Sequence, residues 1–168
     1  LNGRGQTPED TRRAGALVAQ AGLELGLQMM TGLPGDTRSG ALKTAHELAA
    51  LKPAVVRIYP TLVLRGTRMA SWYRDGLYAP QPLDEAVALC AGLLSYFEGR
   101  GIRVIRLGLH ASDSLQDNLL AGPWHPAFRE LCEGELFYRA ECEALSGLAK
   151  GEYTLRVPAG CVSKAAGQ

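Results

Sequence analysis

The run Gln28-Met29-Met30-Thr31-Gly32-Leu33-Pro34-Gly35-Asp36-Thr37 holds the residue types best suited to grip a small polar ligand. On a strand, Gln28 and Met30 share one face, which sets a side-chain amide beside a polarizable thioether. That pairing fits a ribose hydroxyl next to a flat base. Gly32 and Gly35 let a ligand come close to the backbone, and a helix beginning after Thr37 offers free N–H groups. An ordinary tight strand-to-helix turn would use the same residues. A second run, Arg57-Ile58-Tyr59-Pro60-Thr61-Leu62, ends a strand on a proline. Pro60 interrupts the ladder and leaves neighbouring backbone groups near Tyr59 and Thr61 to pair with a ligand edge, or simply stops the strand.

Other candidates are sparser. Cys90, Cys132, Cys142 and Cys161 lie far apart with no ligand spacing between any two, so reduced thiols are expected and no metal site. Arg65-Gly66-Thr67 could help place a substrate or support a loop. Trp124-His125-Pro126 could line a mouth or pack a tail. His46 falls inside a helix, and His110 stands alone at a strand end, where one imidazole makes no site. No catalytic residue is assigned.

The elements that must position these residues alternate. Thr7-Pro8-Glu9-Asp10 starts a helix: Thr7 caps, Pro8 suits the first turn and the acids favour the dipole. Gly22 is its stop. LELGLQMM is a short strand, and a helix runs from Arg38 to Leu51. AVVRIYPTLV is a β-branched strand halted at Pro60, and a short helix is expected at Trp72-Tyr73. PQPLDEAVALCAGLLSYFEGRG is a long helix, followed by the strand IRVIRLGL. Ligands of parallel α/β sheets sit outside the carboxyl ends of the strands, where both candidate runs fall. Three such strands cannot close an eight-stranded barrel, so the architecture is expected to be part of a larger one. Beyond His110 an irregular stretch leads to a helical pattern, and Tyr153, Leu155 and Val157 alternate as an edge strand would. The expected organisation is therefore residues 1–110 as one part and 111–168 as an appended, incomplete small α/β unit. Leu1 is expected to be an internal position of a longer chain.

Composition narrows the classes. The chain has 168 residues, with 18 Lys and Arg against 17 Asp and Glu, and a net charge of +1. Near-neutrality gives no general electrostatic case for nucleic acid or anionic lipid. No apolar run reaches the ~18 residues of a membrane span, and the first residues lack the apolar core of a secretory signal.

LNGRGQTPEDTRRA, GLQMMTGLPGDT and VRIYPTLVLRGT, in this order and spacing, resemble the radical S-adenosylmethionine (SAM) superfamily, in its Elongator catalytic-subunit branch, over roughly residues 1 to 135. The resemblance implies an α/β fold: the C-terminal portion of a partial (β/α)6 TIM-like barrel with parallel strands, followed by a truncated extension. It implies a cytoplasmic enzyme, with SAM and a 4Fe-4S cluster as cofactors and tRNA or a small molecule as substrate. The family's cluster loop, Cys-x-x-x-Cys-x-x-Cys, has no match here, so this chain alone is expected to be inert. By the same resemblance Arg4 pairs with the SAM carboxylate, Gln28 lies near the ribose and Met30 beside the adenine. The adenine edge is read by backbone near Tyr59, Pro60 and Thr61. The family pattern Gly-x-Ile-x-Gly-x-x-Glu is kept only at Gly32; Gln28, Met30 and Gly35 replace its Gly, Ile and Glu. Two alternatives remain: a phosphate-binding α/β barrel fragment with TGLPGDT as the cradle, and a non-catalytic RNA- or protein-binding module.

Overall fold

The computed structural model describes residues 5–167. Helix α1 (Pro8–Gln20) begins on a reciprocal cap: the Thr7 hydroxyl accepts from the Asp10 N–H while the Asp10 carboxylate accepts from the Thr7 N–H. Strand β1 (Gly26–Thr31) leads into α2 (Arg38–Ala50), whose N-cap Thr37 accepts from the Gly40 N–H. Strand β2 (Val55–Pro60) follows, then a two-residue β3 (Val63–Leu64) and the short α3 (Arg68–Arg74). The long α4 (Leu83–Glu98) carries the chain back to β4 (Arg103–Leu107). Next come α5 (Asp113–Asn118), β5 (Leu119–Ala121), α6 (Phe128–Leu145) and, after a single 3-10 turn, α7 (Val162–Ala166).

β1, β2 and β4 form one parallel sheet with β2 in the middle. Each crossover carries helix, as parallel pairing demands. β3 and β5 make a separate antiparallel pair beside it. The sheet is two-faced. Met29, Val56, Ile58, Val104 and Leu107 turn towards α2 and α4 and join Leu93, Leu94 and Phe97 in the main core. Gln28, Arg57 and Tyr59 turn the other way, to a face that no described helix of the core covers. Between Val56 and Arg57 the β2–β4 register slips by one residue, so that Val56 faces Val104 but Arg57 faces Arg106. The extra residue, Ile105, is thereby left partly exposed.

One sequence expectation needs correction. Residues 153–157 form no strand: Tyr153 and Leu155 are more than half exposed and no neighbouring strand offers an edge. An alternating pattern without a partner gives no ladder. The strand of AVVRIYPTLV halts at Pro60 as expected, and the chain then leaves the sheet to pair Val63 and Leu64 with β5. The core also continues past position 110, since Phe128 and Cys132 of α6 lie in the same cluster as α4 and the sheet. Arg129 strengthens that join by donating to the Val104 carbonyl at 2.6 Å, and Arg139 by donating to the Ala88 carbonyl at 2.9 Å.

Candidate functional site

The carboxyl ends of β1 and β2 bring part of the candidate set together. Met30 pairs in register with Tyr59, and Gln28 with Arg57. In-register neighbours of parallel strands present their side chains to the same face. Gln28, exposed, and the half-buried Met30 and Tyr59 therefore share the open face. Pro60 and Thr61 differ. Both side chains are buried, and only their main chain can meet a ligand. The Thr61 N–H donates to the Thr31 carbonyl at 2.9 Å, while the buried Thr61 Oγ1 has no partner among the described residues. Arg4 lies outside the described residues.

Gly32 serves through shape. It follows β1 at φ +73, where a side chain would be strained. Its N–H donates to Asp36 Oδ2 at 3.1 Å, and its carbonyl accepts from the Tyr78 hydroxyl at 2.6 Å. Burial raises the Tyr78 pKa, so the phenol keeps the proton it donates. With both polar groups engaged inside the protein, Gly32 offers a ligand room and no hydrogen bond. The start of α2 is similarly occupied. Asp36 accepts from the Thr37 N–H, and Thr37 caps Gly40, so a carboxylate and a hydroxyl stand where a phosphate would need free donors. That arrangement counts against TGLPGDT as a phosphate cradle.

The remaining candidates separate. His46 is exposed on α2 and lies against Tyr96, with 4.6 Å between ring centroids. His125 Nδ1 accepts from the Ala127 N–H and so serves the start of α6. Cys90 and Cys132 are buried in the core, while Cys142 is exposed on α6. Among the described residues no group of three His, Cys, Asp or Glu could hold a metal ion. The donor set present does not fit an iron–sulfur cluster, whose ligands must converge. A SAM molecule suits the residues better, because an amide, a thioether and an aromatic ring share the uncovered face at the strand ends. No described helix is long and apolar enough to cross a membrane.

One cavity joins candidates that the sequence had kept apart, and adds Arg106, which it had not singled out. A cavity of about 710 Å³ opens beyond β2 and β4, with Tyr59, Arg65, Arg106 and His110 in its wall. Arg106 was hidden by the register slip, since strict alternation from the inward Val104 sends it into the core. Its only sequence signal is a charge that strict alternation buries.

Comparison with known proteins agrees with the fold. The family described as Radical_SAM C-terminal domain matches residues 53–137, half of the chain. A tRNA uridine(34) acetyltransferase of Methanocaldococcus jannaschii is 35% identical over 89 residues, 51% of this chain and 16% of that protein. Its counterpart from Dehalococcoides mccartyi is 27% identical over 127 residues, 69% of this chain and 28% of that protein. The solved structure of the archaeal Methanocaldococcus infernus Elp3 with an N-terminal deletion superposes with a TM-score of 0.70 at 25% identity, covering 86% of this chain and 33% of that one. The chain thus spans less than a third of the length of these curated relatives. With the parallel sheet, the open strand ends and these likenesses together, the chain belongs to the Radical_SAM C-terminal domain family, in the Elongator-like branch of the radical SAM enzymes.

Proposed function

We propose that this chain forms the C-terminal part of the SAM-binding rim of a radical SAM enzyme whose substrate is a tRNA. The observation that carries the reading is the placement of Gln28, Met30 and Tyr59 on one uncovered face at the carboxyl ends of adjacent parallel strands. In this reading Gln28 hydrogen-bonds the ribose, Met30 and Tyr59 pack against the adenine, and the main chain near Pro60 and Thr61 meets its edge. Gly32, held by Tyr78 and Asp36, keeps the turn clear of the ligand. Arg4 takes the SAM carboxylate as a bidentate partner. With SAM bound beside a 4Fe-4S cluster, the chemistry supplied would be a 5′-deoxyadenosyl radical; this chain carries no Cys-x-x-x-Cys-x-x-Cys loop to hold the cluster and in this reading is inert by itself. The tRNA substrate is carried over from the relatives named for uridine 34.

The test is SAM affinity in the full-length protein, by equilibrium dialysis. Gln28→Ala and Tyr59→Ala should each weaken binding roughly tenfold, the loss of one good contact. Unchanged affinity in both variants would overturn the reading.

A further inference from the structure

The cavity beyond β2 and β4 has a wall of one charge sign. Arg65 reaches it from the β3–α3 turn, Arg106 from β4, and His110 from just past the end of β4. Among the described residues no acidic one lines it. Asp113 and Asp117 of the adjoining α5 are exposed and stand outside its wall; Asp117 contributes its main-chain carbonyl, which accepts from Arg65 Nε at 3.3 Å. That bond orients Arg65 and leaves its two terminal nitrogens to other partners. Arg106 is half-buried and makes no ion pair with any described residue.

A second observation is independent of the cavity. Arg106 sits directly across from Arg57 on the neighbouring strand. Like charges opposite one another in a sheet are destabilising, and a partly desolvated guanidinium adds to that cost. With 18 basic against 17 acidic residues, the chain has no general excess of positive charge to explain the pair. Of the remaining wall, Leu64, Leu109, Leu115 and the Tyr59 ring are apolar and suit the body of a molecule whose charged group the guanidiniums hold, while Thr67, Ser112, Ser114 and Asn118 add hydroxyl and amide groups beside it.

We propose that Arg65, Arg106 and His110 form a binding pocket for a phosphoryl group of the substrate, next to the SAM contacts at Gln28 and Met30, with the Tyr59 ring at the border between the two. Two guanidinium forks and an imidazole approaching from three elements suit an oxyanion with several acceptor oxygens. The proposal rests on the reading above only for the reaction it serves, because binding of the anion needs no SAM.

The test uses the full-length protein without SAM and two probes: inorganic phosphate, followed by phosphorus-31 NMR titration, and a short single-stranded RNA, followed by anisotropy across a salt series. Arg65→Gln and Arg106→Gln should each weaken phosphate binding about tenfold, as loss of a charged hydrogen-bonding partner does. Arg156→Gln, an exposed change elsewhere, should leave it unaltered. If the phosphoryl group belongs to a nucleic-acid strand, each of the two variants also lowers the salt slope for RNA by about one. If the RNA slope stays the same while phosphate binding falls, the ligand is a small phosphorylated molecule and the pocket stands. Wild-type phosphate affinity in Arg65→Gln overturns the proposal. Arg65 is exposed, so this variant decides even if Arg106→Gln fails to fold. The SAM affinity of Arg65→Gln should equal the wild type, so failure here and failure of the SAM reading give different results.

Discussion

The four cysteines differ by environment more than by sequence context. Burial pushes the Cys90 thiol up to about 12, with Thr31, 4.0 Å away, pulling weakly the other way. Cys132 is raised further, first by burial and then by Cys90 and Glu133 nearby. Both should resist alkylation in the native protein while Cys142 reacts, and peptide mass spectrometry after a brief iodoacetamide pulse checks this. The sign of the accompanying pH effect follows from proton linkage. A thiol raised in the fold contributes stability that is complete below its ordinary value of 9.0 and lost as pH climbs towards 12. Denaturant midpoints should therefore fall through that window, and Cys90→Ala should make the fall shallower. From their spacing the sequence led only to the expectation of reduced thiols. Which of them were buried depended on packing between α4 and α6 that no local pattern records.

Among the elements, the parallel strands and their helices were legible because period and punctuation agree: Thr7 and Thr37 cap, Gly22 and Gly101 break, and β-branched runs lie between. Tyr153, Leu155 and Val157 show the limit of that method, for alternation describes a strand's faces and says nothing of whether a partner edge exists. The β3–β5 pair stayed hidden for the converse reason. Its pieces are too short to show a period, and Gly122, which lets β5 lie against Thr61, looks like any loop glycine. Gly108 has a stricter duty at the end of β4. It sits at φ +82, and a Cβ there would lie 2.9 Å from the Phe128 Cβ. Gly108→Ala adds backbone strain to a clash with a packed aromatic and should destabilise by about 2–4 kcal/mol, read from urea unfolding. Gly35→Ala, where φ is also positive but no atom lies within 4 Å, should cost about 1 kcal/mol.

At the scale of the whole molecule, one core joins the sheet to α4 and α6, with Phe97, Leu93 and Cys132 fully buried within it. Phe97→Ala should remove about 3–5 kcal/mol, and near-ultraviolet dichroism and far-ultraviolet dichroism should lose their signals together. Separate transitions would mean that α6 folds apart from the sheet. The candidate site was legible in outline only. Gln28 and Met30 could be placed on a shared face from spacing alone, whereas Arg106 could not, because a one-residue slip between two strands is a property of their meeting and not of either sequence.

The Tyr78 hydroxyl reaches Gly32 across 46 positions of chain. Fastened at that point, the stretch from 65 to 82 becomes a strap buckled across the rim, and the distance from Arg65 to the glycine turn is set before anything binds. Unbuckled, the same ligand would have to draw the two ends together at its own expense.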